Sequence, residues 1–330
     1  MVQNFLAHDF DRISSAAMAS DLPTFDPTVL LSQHADAHLL VSKSDKITAR
    51  CSLWWKTAPG LEGQALGYIG HYSAANPSDA ASLLDGAKKL LQEQNCALAV
   101  GPIDGNTWRR YRLVTDAGTE PPFFLEPANP PEWPDHFRNT GFTPLAEYYS
   151  ALNQDLSYSD PRIQRAEKRL KDEGIVIRGF RQDAFLDELK KIYAVSAISF
   201  TSNFLYTPLD EASFIAQYKA VEALIDPRFV FIAEHEGNPI GYIFAIPDHT
   251  QTQRGQTVDT IILKTVALLP GRTFAGLGSV LVDKVHITAH GFGFKRAIHA
   301  LMHETNKSRN ISGHYAQTIR RYTLFAHRLG

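Results

Sequence analysis

One stretch constrains this chain more than any other: residues 264–291, KTVALLPGRTFAGLGSVLVDKVHITAHG. An apolar run rich in β-branched residues breaks at Pro270-Gly271, passes glycines 276 and 278, and becomes amphipathic. The pattern reads as strand, tight turn and helix. A helix N-terminus leaves backbone N–H groups unpaired and carries partial positive charge. Glycines ahead of it let the backbone approach a ligand and take positive φ. Such a turn can cradle a phosphate or pyrophosphate, with five or six donors expected from Thr273 to Ser279. A lone G-x-G is also a common packing device. A Walker A loop would need a lysine that Leu277-Gly278-Ser279 lacks, and a dinucleotide fingerprint would need glycine where Leu281 stands.

The turn falls late in a plan that occurs twice. GIVIRGF (174–180) alternates as a strand, and Asp183 is placed to cap a helix with Phe185, Leu186, Leu189, Ile192 and Tyr193 on its apolar face. Thr207 reads as the N-cap of a second helix, with Pro208 at N1, Asp210 at N3 and a core stripe of Phe214, Tyr218, Val221 and Leu224/Ile225. Residues 228–248 form a hairpin about Glu236-Gly237-Asn238. A strand at about 257–268 enters the turn. The helix after it runs over about 276–290 with Gly291 as C′ residue. Strands follow at 296–303 and 320–329.

The first half repeats this weakly. AHLLVSKS and ITARCSLWW form a hairpin, ALGYIGHYSA a strand, and PSDAASLLDGAKKLLQEQN a helix with Leu83, Leu84, Ala87, Leu90 and Leu91 on one face. CALAVGPI and EYYSALNQ close the unit. We read a degenerate tandem duplication of the α/β class, with mixed sheets and helices on their faces. The polar stretch 155–174 holds a short helix opened by Pro161 and ended by Gly174. The linker falls there, giving domains 1–156 and 157–330.

Charge and cysteine usage exclude several classes. The 330 residues include 33 Lys or Arg and 35 Asp or Glu, a formal charge of −2. That balance gives no pull toward nucleic acid or a membrane surface. Cys51 and Cys96 make no disulfide framework and fit a reducing compartment. The start, MVQNFLAHDFDRISSAAMASDL, lacks a basic segment followed by an apolar core, and no run of about 18 apolar residues occurs. A cytoplasmic protein is expected. His286 and His290 lie four apart with no evident third ligand and are expected to face solvent, so no metal is expected. Trp54-Trp55 and Trp108 read as core or domain interface. RRYR (109–112) reads as a surface salt-bridge cluster that could approach an acidic substrate.

Strand, RTFAGLG, helix, strand and a short helix opening at ETNKSRN together resemble the acetyl-CoA-binding core of the GNAT N-acetyltransferase superfamily. The family's loop pattern is Gln/Arg-x-x-Gly-x-Gly/Ala. Gly276 and Gly278 fall on its glycines; the first position falls on Thr273, with Arg272 one residue early. The resemblance covers about 174–330. GPIDGNTWRRYRLV and PPFFLEPANPPEWPDHFRNTGFTPLAEYYSA are similar to the N-terminal part of a group of bacterial tandem-GNAT proteins. SFTSNFLYTPLDEASF and FIAEHEGNPIGYIFAIPD fit its second half. In the first half Pro77-Ser78-Asp79 replaces the glycine turn, so that half is expected not to bind CoA.

The resemblance implies acyl transfer from acetyl-CoA, as co-substrate, to an amine of a small molecule or peptide by direct attack. Such a reaction needs a deprotonated amine, alignment, an oxyanion site and a proton for the thiolate. It further implies that Val266, Ala267 and Leu268 pair with the pantetheine arm and that Thr273, Phe274, Ala275, Gly276, Leu277, Gly278 and Ser279 cradle the pyrophosphate. Asn306, with Ser308 beside it, falls where the family contacts the cofactor, and is equally a helix N-cap. Tyr315 falls near the tyrosine that protonates the thiolate, though its spacing from Asn306 is longer than usual. Glu304, His303 and Asp259 are the general-base candidates. Two rivals remain: a FemABX-like aminoacyl transferase, against which the balanced charge speaks, and a non-catalytic CoA-binding or regulatory protein. A homodimer through an edge strand is left open.

Overall fold

The structure, a computed structural model, describes residues 2–6, 22–23, 26–44, 46–157, 160–305 and 316–330. The first unit contains β1 (Val2–Leu6), α1 (Pro27–Ser32), β2 (Ala37–Lys43), β3 (Lys46–Trp54), β4 (Leu66–Ala74), α2 (Pro77–Glu93), β5 (Leu98–Gly101), β6 (Leu113–Asp116), α3 (Trp133–Asn139) and β7 (Thr143–Asn153). The second contains α4 (Pro161–Asp172), β8 (Ile175–Gly179), α5 (Phe185–Ser199), α6 (Glu211–Lys219), β9 (Val230–His235), β10 (Asn238–Pro247), α7 (Thr250–Gln253), β11 (Thr260–Leu268), α8 (Leu277–Gly291), β12 (Arg296–His303) and β13 (Gln317–Arg328). In both units an antiparallel β-meander enters a helix that returns to a parallel strand: β2-β3-β4-α2-β5 and β9-β10-β11-α8-β12.

Local chemistry sets most of these elements. Asn76 caps α2 by accepting from the Asp79 N–H at 3.0 Å, and Pro77 opens it. Leu83, Leu84, Ala87 and Leu91 are fully buried against β2–β4, while Leu90 packs at the margin of that cluster. Glu236 and Gly237 take φ of 51° and 77°, the positive values that join twisted strands tightly.

Several expected boundaries move. Asp210, not Thr207, caps α6: its carboxylate accepts from the Ser213 N–H at 2.9 Å, so the helix opens at Glu211 and Pro208 stays outside. Phe214 is buried there, whereas Val221 and Leu224 lie past the helix and are exposed. Asp183 sits in a 3₁₀ turn and does not cap α5, whose Leu186 is exposed while Phe185, Leu189 and Ile192 are buried. Gly291 is still helical; the left-handed residue is Gly293, at φ 87°.

Among the described residues thirteen strands form one sheet, ordered β1-β2-β3-β4-β5-β13-β7-β12-β11-β10-β9-β8, with β6 against β13. The last strand of each unit lies on the other's side of the centre. β13 pairs with β5, β7 pairs with β12, and the two pair with each other. They bury Tyr148, Leu152, Tyr322, Leu324 and Phe325. Each such side chain contributes about 1.5–3 kcal/mol, so losing either strand removes a large part of a typical 5–15 kcal/mol stability. Residues 157–330 produced alone should therefore lack fixed near-UV circular dichroism, and co-production with 1–156 should restore it.

Candidate active site

β11 and β12 run parallel and in register from Thr260↔Arg296 to Leu263↔His299, and no pairing follows. β11 continues to Leu268 and β12 to His303, so the two strands part and leave a slot in the sheet. Irregularities lie on both sides. In β11, Phe244↔Thr265 is followed by Ala245↔Leu263, making Lys264 the extra residue of a bulge. In β12 the register against β7 shifts between His299 and Met302, and Leu301 takes φ 61°. Bulges bend strands and re-aim side chains.

The glycine turn stands at the end of β11. Gly276 caps α8 at φ 83°, and a Cβ there would lie 3.3 Å from the Ala166 Cβ on α4. The Phe274, Ala275 and Leu277 N–H groups are used in turn bonds to Gly271, Arg272 and Phe274. Those of Thr273, Gly276, Gly278 and Ser279 have no backbone acceptor among the described residues, fewer donors than the five or six expected. Arg169 of α4 donates to the Ala275 carbonyl, which brings a guanidinium to the turn. Of the strand residues, Val266 lines the cavity described below, Ala267 is buried, and the Leu268 N–H is engaged by Ser199 Oγ at 3.2 Å.

The corresponding place in the first unit is closed. Beyond Gly101 the chain stays on β4: the Ile103 N–H donates to the Ile69 carbonyl at 2.8 Å, and the His71 N–H to the Asp104 carboxylate at 2.6 Å. A Cβ on Gly70 would meet the Ile103 carbonyl oxygen at 2.2 Å. Asp79, buried and paired with Lys43 at 2.5 Å, fills the N-terminal end of α2 with its own negative charge.

A cavity of 1270 Å³ opens onto the slot between the two halves. One wall is Thr107–Arg112 and another Leu125–Ala128. A third comes from the Phe200–Tyr206 segment, and the slot itself contributes Leu263–Val266 and Ala300–His303. Trp108 ties the first wall to the third: its Nε1–H donates to the Thr207 carbonyl at 2.9 Å and its ring lies 5.7 Å from Phe200. A buried polar chain crosses the centre. Tyr322 OH donates to Glu126 at 2.5 Å and lies 2.9 Å from Ser150 Oγ, which accepts from the Leu301 N–H at 3.0 Å. Arg320 Nε holds the same Glu126 carboxylate at 2.8 Å. Both partners are buried, and breaking such a pair costs about 3–5 kcal/mol.

The expected catalytic residues divide. His303 lines the cavity, its ring 4.8 Å from Tyr148 and 5.8 Å from Phe204. Its Nδ1 accepts from the Thr305 N–H at 3.2 Å, which puts the proton of the neutral ring on Nε2. Burial, with Arg112 behind it, holds the His303 pKa below the ordinary histidine value. Glu304 is instead paired with Arg321 at 2.8 Å. Asp259 sits before β11, at the end away from the slot, and accepts from Gln251 at 2.8 Å and Thr260 at 3.1 Å. Tyr315, Asn306 and Ser308 lie outside the described residues.

Two other expectations are corrected. His286 is buried against His299, ring centres 5.3 Å apart, rather than facing solvent; His290 is exposed. RRYR is not a surface salt-bridge cluster. Arg109 donates to the Gln33 carbonyl at 3.2 Å, Arg110 to the Ala128 carbonyl, and Arg112 is buried among tyrosines. Sequence reasoning does not single out Lys264, Glu126 or Tyr322; Arg112 enters it only within RRYR, and Glu126 only within the quoted segment that contains FFLEPAN.

Burial, and then Arg112, lower the Lys264 pKa to about 8. Selective reductive methylation followed by carbon NMR should show Lys264 titrating near 8, against about 10.4 for a free lysine. Arg112→Met should move that midpoint upward.

No family model matches the chain. A bacterial ceramide synthase of Caulobacter vibrioides is 24% identical over 250 residues, which are 74% of this chain; the match spans 63% of that protein's length. The GCN5-related glucosamine N-acetyltransferase region of a fungal multidomain GH3 β-N-acetylglucosaminidase superposes with a TM-score of 0.55 at 14% identity, over 99% of this chain and 38% of that one. A GCN5-related N-acetyltransferase from Anabaena variabilis gives 0.56 at 9% identity, over 100% and 73%. With the parted strands, the glycine turn and the repeated unit, these likenesses show that the chain has the GCN5-related N-acetyltransferase fold, built twice into one sheet.

Proposed function

We propose that the second unit binds an acyl-CoA, acetyl-CoA in the simplest case, and transfers its acyl group to an amine held in the cavity between the halves. One observation carries this reading: β11 and β12 part beside a glycine turn that keeps N–H groups with no backbone acceptor among the described residues. A parted pair offers unpaired backbone to an extended amide-containing arm, and the turn offers donors to a pyrophosphate. The Arg169 guanidinium at Ala275 adds positive charge at that place. The closed slot and the Asp79 carboxylate of the first unit support the reading that this half binds no CoA.

In the reaction the amine nitrogen attacks the thioester carbonyl. A C–N bond forms, the C–S bond breaks, and the amine gives up a proton while the thiolate gains one. The cavity walls hold the two reactants in reach of each other. We assign His303 the role of a neutral N–H donor to the oxygen that becomes negative, because its Nε2 is buried without a partner among the described residues. A neutral imidazole can fill that role where its pKa is held down.

The cavity favours a bulky acceptor. Its 1270 Å³ exceeds the roughly 300–1,000 Å³ usual for a small-ligand site, and Trp108, Phe200, Phe204, Tyr206 and Tyr218 line it. The likeness to a ceramide synthase fits transfer to a long-chain amine, and a long-chain rather than an acetyl donor is the second reading.

Thiol release from acetyl-CoA and palmitoyl-CoA across a panel of amines tests the proposal. Turnover is expected with one donor. Gly276→Val should abolish donor binding, because a β-branched residue is strained at φ 83° and its Cβ crowds Ala166. His303→Ala should lower kcat about 100-fold with donor affinity kept, and His303→Gln should recover part of it. Donor binding without turnover across the panel would favour a non-catalytic role; no binding of either donor by the folded protein would end the acyl-CoA reading.

A further inference from the structure

We propose that the acceptor carries a carboxylate or phosphate, and that Arg112 binds this oxyanion inside the cavity while the amine lies at the slot. The proposal rests on the acyl-transfer reading.

Arg112 lines the cavity and is only 5% exposed. Its guanidinium carbon lies 4.2 Å from the ring centre of Tyr111, 4.1 Å from that of Tyr148 and 5.7 Å from that of Tyr322. The rings cover its faces and favour the charge. They do nothing for its edge. Nε and Nη1 have no hydrogen-bond partner among the described residues. A buried cation normally has a carboxylate partner, and leaving one without costs free energy. The guanidinium edge is a planar fork that matches carboxylate and phosphate oxygens two at a time.

The described residues do not supply that anion. Among the described residues Glu126 is the one carboxylate along the cavity wall, and it already accepts from Arg320, Tyr322 and the Phe123 N–H. Against it stand Arg109, Arg110, Arg112 and Lys264. Arg109 and Arg110 donate to carbonyls, and Lys264 reaches only the Leu125 carbonyl among the described residues, at 3.4 Å. Asp104, behind the wall, offsets part of the charge of Arg109 and Arg110, which leaves Arg112 and Lys264 as the wall cations with no hydrogen-bonded carboxylate among the described residues. Arg112 acts on both flanks of the slot, depressing proton binding at Lys264 on β11 and at His303 on β12. An anion on Arg112 would therefore sit beside the place where the acyl group is transferred.

Titration calorimetry on the full chain tests this with O-phosphoethanolamine, β-alanine and ethanolamine as probes. At least one anionic amine is expected to bind and ethanolamine not. Arg112→Met should weaken that binding about tenfold or more, in line with the loss of a charge-assisted hydrogen bond. Lys264→Met should weaken it less. If Arg112→Met does not fold, the Arg112 Nε–H resonance of the unaltered protein decides: it should shift with O-phosphoethanolamine and stay with ethanolamine. Equal affinity for ethanolamine, no binding of either anionic probe, or an unmoved Nε–H signal would overturn the proposal. A separate acetyl-CoA titration keeps the two readings apart. Donor binding without anionic-amine binding leaves acyl transfer standing and removes the anion site. Anionic-amine binding without donor binding does the reverse. If Arg112→Met instead weakens succinyl-CoA but not acetyl-CoA, the oxyanion belongs to the donor and the acceptor assignment fails.

Discussion

The antiparallel pairing of β7 with β13 is what the rest of the molecule depends on. Each is the last strand of its unit, and each completes the other unit's side of the sheet. Their register sets Tyr148 opposite Tyr322. That pair supplies two of the three rings around Arg112, and Tyr322 carries the hydroxyl that joins Ser150 to Glu126. The same pairing brings the Thr107–Arg112 wall of the first half to the slot of the second. A site made this way exists only when both halves are folded together.

The two units show how one plan reaches opposite ends through few residues. In the second, the strands part after four paired positions and a left-handed glycine opens the helix. In the first, the chain past β5 stays bonded to β4, Gly70 leaves no room between them, and Asn76 with Asp79 caps the helix from within. A carboxylate at a helix N-terminus stabilises the helix and, with its Lys43 partner, occupies the place an anionic ligand would take. The first unit has become a wall for the second.

Much of this was legible because it is local. The strand-turn-helix at 264–291, the hairpin at Glu236-Gly237 and the apolar face of α2 follow from chemistry within a few residues, and the structure keeps them. The quoted segments around 107–112, 125–128 and 200–206 converge on one cavity. What was illegible is non-local. Nothing in EYYSALNQ announces that it pairs with the far half, and without that pairing RRYR looks like a surface cluster rather than the source of a buried guanidinium. Lys264 looks like a routine strand residue until the bulge against Phe244 and Ala245 places it in the cavity wall. His286 falls on a helix position that pattern alone leaves polar, and β12 buries it through His299.

The central claim is that one slot, and not its closed counterpart, receives an acyl-CoA. Amide hydrogen exchange of the full chain with and without acetyl-CoA addresses it most directly. Slowed exchange is expected at residues 264–268 and 273–279, with 69–79 unchanged. Protection at 69–79, or no change at 264–279 under saturating acetyl-CoA, would contradict it.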